Sequence, residues 1–123
     1  MANIEGVLTG IDIVDIERFK KVLDASGKVF LERVFLESEL SDIHPEHLAG
    51  IFAAKEAVKK AFGITDDIWK KIEVRKRSSR KPEIVLSVDL ELEIISTDVS
   101  ISHDGGNAIA VFVALIGSNQ NEK

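Results

Sequence analysis

The stretch PEHLAGIFAAKEAVKKAFG, residues 45–63, decides the fold. Pro45 suits the first turn of a helix, where its missing N–H costs nothing, and Gly63 suits a left-handed stop. At about 100° per residue, Leu48, Ile51, Phe52, Val58 and Phe62 define one apolar face. Lys55 falls inside that arc and Lys59 near its edge. Either Lys55 snorkels, its stem packed and its head in water, or it has a specific partner. Glu56 and Lys60 lie beside the arc, four residues apart, which alone is an ordinary i,i+4 ion pair.

Upstream, Gly6 to Val14 is apolar and β-branched and reads as a strand. Asp15 caps a helix from Ile16 to about Ala25, with Ile16, Phe19, Val22 and Leu23 at helical spacing, and Ser26-Gly27 ends it. Val29 to Val34 makes a short helical stretch, and Ser38 to Ile43 another. Downstream, Ile72–Lys76 and Glu83–Ser87 read as strands around a turn at Ser78–Lys81. Val99–Ser102 and Ala108–Ile116 are strands joined by Asp104-Gly105-Gly106-Asn107, where Gly and Asn tolerate positive φ. Val88 to Ile94 alternates apolar and acidic residues and fits a strand or a short helix. A domain over 1–117 with a frayed polar tail, 118–123, is expected.

The chain has 123 residues, 45% hydrophobic and 30% charged, which is ordinary for a globular domain. It has no cysteine, so thiolate and cysteine–zinc chemistry are excluded. No apolar run is long enough to span a membrane, and the start, with Glu5 and no basic residue, is unlike a signal peptide. A cytoplasmic protein is the expectation. The net charge of −5 argues against nucleic acid as the main partner. The charge is unevenly placed. Trp69 to Lys81 holds seven basic residues against one acid, Glu73. That block is either a solvated edge or a site for a phosphorylated ligand.

Three features bear on chemistry. Asp12 sits between Ile11 and Ile13 in an apolar strand, where a carboxylate is costly unless it points to solvent, is paired, or holds a cation. Glu56 and Lys60 lie on the long helix. His103 ends Ser100-Ile101-Ser102-His103 before the Gly-rich turn, placed to meet a phosphate or a hydroxyl, or simply a turn histidine. His44 and His47 read as surface or capping residues.

Together these stretches resemble one family. Gly10-Ile11-Asp12-Ile13-Val14-Asp15-Ile16-Glu17-Arg18-Phe19, the helix His47–Gly63 with its Phe-Ala-x-Lys-Glu-Ala core, and Val99–His103 followed by Ala108–Val111 resemble the motifs of holo-acyl-carrier-protein synthases. Phe30 to Leu40 is similar to the segment between the first two. The resemblance implies an α+β fold, a mostly antiparallel sheet packed on one long helix and shorter helices, assembled as a homotrimer with shared active sites. It implies a transferase that moves 4′-phosphopantetheine from coenzyme A to a serine of an apo acyl carrier protein and releases 3′,5′-ADP, serving fatty acid or polyketide synthesis.

The resemblance further implies that Asp12 and Glu56 bind Mg2+ and that Lys60 contacts phosphates. It places Lys55, Lys81, Pro82 and His103 near coenzyme A. Glu56, Lys60 and His103 would be the catalytic group, and the base that takes the serine proton is a water or Glu56. Arg18, Lys28 and Arg33 would meet the acidic carrier protein. Asp12 and Glu56 would come from one subunit, His103 and Lys81 from its neighbour, with strands near Val99–Val113 at the trimer centre.

Three positions depart from the family pattern. Ile51 stands where arginine is usual. The loop Ile64–Ile68 is shorter and lacks glycine. Arg80 replaces the glycine of a Gly-Lys-Pro turn. Ile51 and the shortened loop motivate an alternative, a non-catalytic module that binds carrier protein.

Overall fold

The computed structural model describes residues 3–118, so the expected tail beyond Ser118 lies outside the described residues. The elements are β1 (Ile4–Asp15), α1 (Ile16–Val34), α2 (Pro45–Phe62), β2 (Ile72–Lys76), β3 (Pro82–Leu86), β4 (Glu93–Asp104) and β5 (Asn107–Gly117). Short 3-10 turns occupy Glu37–Ser41 and Trp69–Lys71. The result is α+β with antiparallel pairing throughout: a three-stranded sheet in the order β1-β5-β4, and a hairpin of β2 and β3.

The helix at 45–63 has the expected bounds. Pro45 opens it and Gly63 closes it at φ 67°, its N–H returning to the carbonyls of Lys59 and Lys60. The single apolar arc is too narrow a description, because α2 is covered on two sides. Ala53, Ala54, Ala57 and Val58 pack with Ile72, Val99, Ala110, Phe112 and Ala114. Leu48, Ala49 and Ile51 pack in a second cluster with Phe19, Val34, Phe35 and Ala108. Small residues on the sheet-facing side let helix and strand approach closely. At Gly10 of β1 this approach is absolute: a Cβ there would lie 1.8 Å from the Ala57 carbonyl oxygen.

Asp15 caps α1, its carboxylate accepting from the Arg18 N–H at 3.0 Å. The expected stop at Ser26-Gly27 is a kink instead. Gly27 leaves helical geometry (φ 29°, ψ −107°), and helix resumes to Val34, where the expected Val29–Val34 segment lies. The resumption has a packing reason, since the Phe30 ring meets Phe19, Phe35 and Phe52 at 5.7–6.1 Å between centroids. The helix expected at Ser38–Ile43 is the 3-10 turn Glu37–Ser41. Residues 87–92 form neither a strand nor a helix, and β4 begins at Glu93. The turn between β4 and β5 has positive φ at both glycines, 57° at Gly105 and 81° at Gly106.

Candidate functional site

Alternation along β1 turns Ile11 and Ile13 outward, 60% and 61% exposed, and Asp12 inward, its side chain only 14% exposed. The solvent-facing reading of Asp12 therefore fails. The contact of Gly10 with Ala57 fixes what Asp12 meets, because Glu56 precedes Ala57 and Lys60 lies one turn on. Lys60 Nζ donates to Asp12 Oδ1 at 2.9 Å and to the Ile11 carbonyl at 3.1 Å. Lys60 thus bridges helix to strand rather than pairing with Glu56 along the helix.

Asp12 and Glu56 line one cavity of about 290 Å³ with Arg18, Phe19, Phe30 and Phe52. Burial first, and the Asp12 charge second, hold the Glu56 carboxyl above its ordinary range, while Lys59 and Lys60 pull it back. The cavity brings two carboxylates and the Arg18 guanidinium against an apolar wall, with Lys60 bonded to Asp12 beside it.

His103 lines a different and larger cavity of about 610 Å³. Its Nε2 lies 2.8 Å from the Glu46 carbonyl. A carbonyl only accepts, so Nε2 is the donor in this bond. Gly50 makes room for this ring, since a Cβ there would meet His103 Nε2 at 3.0 Å and Ile101 at 2.9 Å. Ile51 and Pro82 line the same cavity, as do the cations Arg75, Lys76 and Arg80 and the acids Asp42 and Glu73, and Arg75 is paired with Glu73 at 3.0 Å. Arg80 is the only non-glycine residue at positive φ among the described residues, at 67°, a costly geometry without glycine.

Lys81 does not join them. Its ammonium pairs with Asp98 at 2.7 Å, beside a cleft shared with Arg77 and Thr97. Lys81 is the main cause, and the Val99 N–H the second, that holds the Asp98 carboxyl below its ordinary range.

Lys55 corrects the snorkelling expectation. Its side chain is fully buried, and its three donors go to the Val34 carbonyl (2.8 Å), Glu39 Oε1 (2.6 Å) and the Trp69 carbonyl (3.0 Å). Burial lowers its affinity for the proton, and Glu39 opposes that. With every donor spent inside the chain, Lys55 has none for a coenzyme A phosphate. Lys59, one turn on, lies over the Trp69 ring, 3.9 Å from its centroid.

Of the three basic residues expected to meet a partner, Arg18 lines the carboxylate cavity and has no acidic partner among the described residues. Arg33 pairs with Asp67 at 2.9 Å and Lys28 with Glu32 at 3.8 Å. His44 pairs with Asp42 at 2.6 Å, which raises the histidine above its ordinary value; the Asp42 carboxyl is lowered first by the His44 backbone N–H and then by the ring. His47 stands 3.9 Å from the same carboxylate and lines the larger cavity. His44 is exposed, as expected, whereas His47 belongs to a cavity wall.

Sequence reading missed Gly10, Gly50 and Glu39. The first two left a signal, a glycine inside a strand and another inside a helix, where only a close approach repays the conformational cost. Glu39 left none, because its partner is distant in sequence.

Residues 9–113 match the 4′-phosphopantetheinyl transferase superfamily. A holo-acyl-carrier-protein synthase of Alkaliphilus metalliredigens is 43% identical over 117 residues, spanning 85% of this chain and 95% of that protein. Its counterpart from Caldanaerobacter subterraneus subsp. tengcongensis is 37% identical over 125 residues, spanning 92% and 98%. Among solved structures, the Helicobacter pylori holo-acyl-carrier-protein synthase in complex with coenzyme A superposes with a TM-score of 0.78 at 36% identity, covering 87% of this chain and 99% of that one.

Proposed function

Since the chain belongs to the holo-acyl-carrier-protein synthases of the 4′-phosphopantetheinyl transferase superfamily, we propose that it moves 4′-phosphopantetheine from coenzyme A to a serine hydroxyl of an apo acyl carrier protein, with Mg2+, releasing 3′,5′-ADP. One observation carries the details: Asp12 and Glu56, from strand and helix, line a single cavity.

That pair fits magnesium. Asp12 and Glu56 line one cavity, and the Asp12 charge adds to burial in making the Glu56 carboxyl reluctant to ionise, a repulsion that a cation held by both would relieve. Among the described residues no group of three or more His, Cys, Asp or Glu could hold a metal ion. Magnesium needs only one or two carboxylates and completes its shell with phosphate oxygens and water. Bound there, magnesium supplies charge neutralisation at the phosphate under attack and on the leaving 3′,5′-ADP.

The chain's own groups do the rest. Lys60, half exposed beside Asp12, offers a point charge to the phosphates. Glu56, or a water it holds, takes the serine proton. Lys76 and Arg80 balance nucleotide phosphates, Arg75 being held by Glu73, and His103 orients the ligand. Arg18, Lys28 and Arg33 on α1 steer an acidic carrier protein.

The active site is shared within a homotrimer in this reading. Support comes from the division of the site residues between two cavities of one chain. It comes also from the outer sheet face, where Val7, Ile11, Ile13 and Val111 are exposed. No described helix is long and apolar enough to cross a membrane, and we place the enzyme in the cytoplasm.

A mass increase of an apo carrier protein by one phosphopantetheine, present with magnesium and absent with chelator, tests the activity. Ile51 leaves the larger cavity without a cation at that point, which favours the alternative of a binding module. Calorimetry separates the two, since absence of coenzyme A binding at millimolar ligand with magnesium supports the module.

A further inference from the structure

The most buried charges among the described residues have no part in the chemistry above. Lys55 and Glu39 are both fully buried at the side chain and meet at 2.6 Å. Glu39 Oε1 also accepts from the Leu36 N–H at 2.8 Å, and Oε2 accepts from the Val74 N–H at 2.8 Å. With the Val34 and Trp69 carbonyls on Lys55, one ion pair ties the end of α1, both 3-10 turns and β2 to the middle of α2. Such a pair contributes little net stability after desolvation, and its retention calls for a reason in placement.

The tied segments supply that reason. Glu39 and Val74 line the 610 Å³ cavity, as do Ser38 and Asp42 on one side and Arg75 and Lys76 on the other. Lys55 immediately precedes Glu56 in α2, and Glu56 lines the smaller cavity. We infer that Lys55 and Glu39 are positioning residues: the pair holds the wall of the larger cavity, residues 38–42 and the start of β2, in register with the helix that carries Glu56. The inference rests on reading that cavity as the coenzyme A site, and it assigns neither residue to ligand contact.

Glu39→Gln isolates the wall. The amide oxygen still accepts from Lys55 and Leu36, but its NH2 now faces the Val74 N–H, donor against donor. The Val74 amide should exchange with solvent about tenfold faster or more. The KM for coenzyme A, and its dissociation constant by calorimetry, should rise about tenfold, with kcat at saturating coenzyme A within about threefold of wild type. The double variant Glu39→Leu/Lys55→Met removes both charges together, avoids an orphaned ion, and should give the same KM signature while folded.

A role in stability alone predicts wild-type coenzyme A affinity in either variant, and that result overturns the inference. A fall in kcat with KM unchanged overturns it as well, by placing Lys55 in the chemistry. If the wild type binds coenzyme A yet transfers nothing, the proposed activity fails, while the Val74 exchange and the binding constants still test the positioning.

Discussion

A Cβ on Gly10 would lie 1.8 Å from the carbonyl oxygen of Ala57, so β1 and α2 touch backbone to backbone. Two residues along the strand is Asp12, and one residue before Ala57 is Glu56. The pairing of the two carboxylates is therefore a consequence of a missing side chain elsewhere. Gly10→Ala forces strand and helix apart against backbone atoms that cannot rotate away. Chemical denaturation should show a loss of about 3 kcal/mol or more, at the upper end for overpacking. A wild-type unfolding midpoint would show that the contact is not needed.

The Glu56 carboxyl opposes folding near neutral pH in the absence of a cation. Its folded value is raised, so between its ordinary 4.5 and that value the folded state holds the extra proton. Stability from this group is fully present below the ordinary value and is lost as pH rises through the folded one. Glu56→Gln should then be more stable than the parent at pH 7 and equal to it near pH 4, with chelator present. The same variant, like Asp12→Ala, should lose about 10²-fold or more in transfer rate. A destabilised Glu56→Gln at pH 7 would mean that a cation or donor stabilises the carboxylate more than burial and Asp12 disfavour it.

Much of this was legible in the sequence. The bounds of α2 follow from Pro45 and Gly63, local signals that tertiary packing did not override. The inward turn of Asp12 was not legible, because alternation in β1 gives two faces and does not say which one meets the helix. The kink at Gly27 reads locally as a stop, since nothing nearby announces that Phe30 will find three other rings. Lys55 was noticed as a charge in an apolar arc. Its partner, 16 residues upstream on a 3-10 turn, leaves no periodic trace. The separation of Lys81 from His103 was equally hidden, as it depends on how the β2–β3 hairpin sits beside β4.

Lys81 is held by Asp98, and that pairing competes with any phosphate it is to bind. Asp98→Asn should lower the KM for coenzyme A severalfold, and Lys81→Met should raise it. The Asp98 carboxyl is depressed, so the pairing is complete above its ordinary value and is lost as pH falls through the folded one. Its grip on Lys81 is thus at full strength at neutral pH, where the assay is run. Equal KM values in the wild type and both variants would remove Lys81 from the nucleotide site.

Ile11 and Val111 are register partners across β1 and β5, and both face outward, 60% and 39% exposed. With Val7 and Ile13 they leave an apolar stripe on the sheet face opposite α2, which water does not favour and a second sheet face would cover. Replacing both Ile11 and Val111 with glutamate sets like charges directly opposite each other and across any interface built on that face. Neither side chain is part of the core, so circular dichroism and the per-chain fold should change little. Sedimentation velocity should move from trimer to monomer. Transfer should fall by about 10²-fold or more, because in the proposed trimer the carboxylate cavity would lose the neighbour whose His103 completes it. A monomer with full activity would show that one chain completes its own site, and a surviving trimer would place the interface on another face.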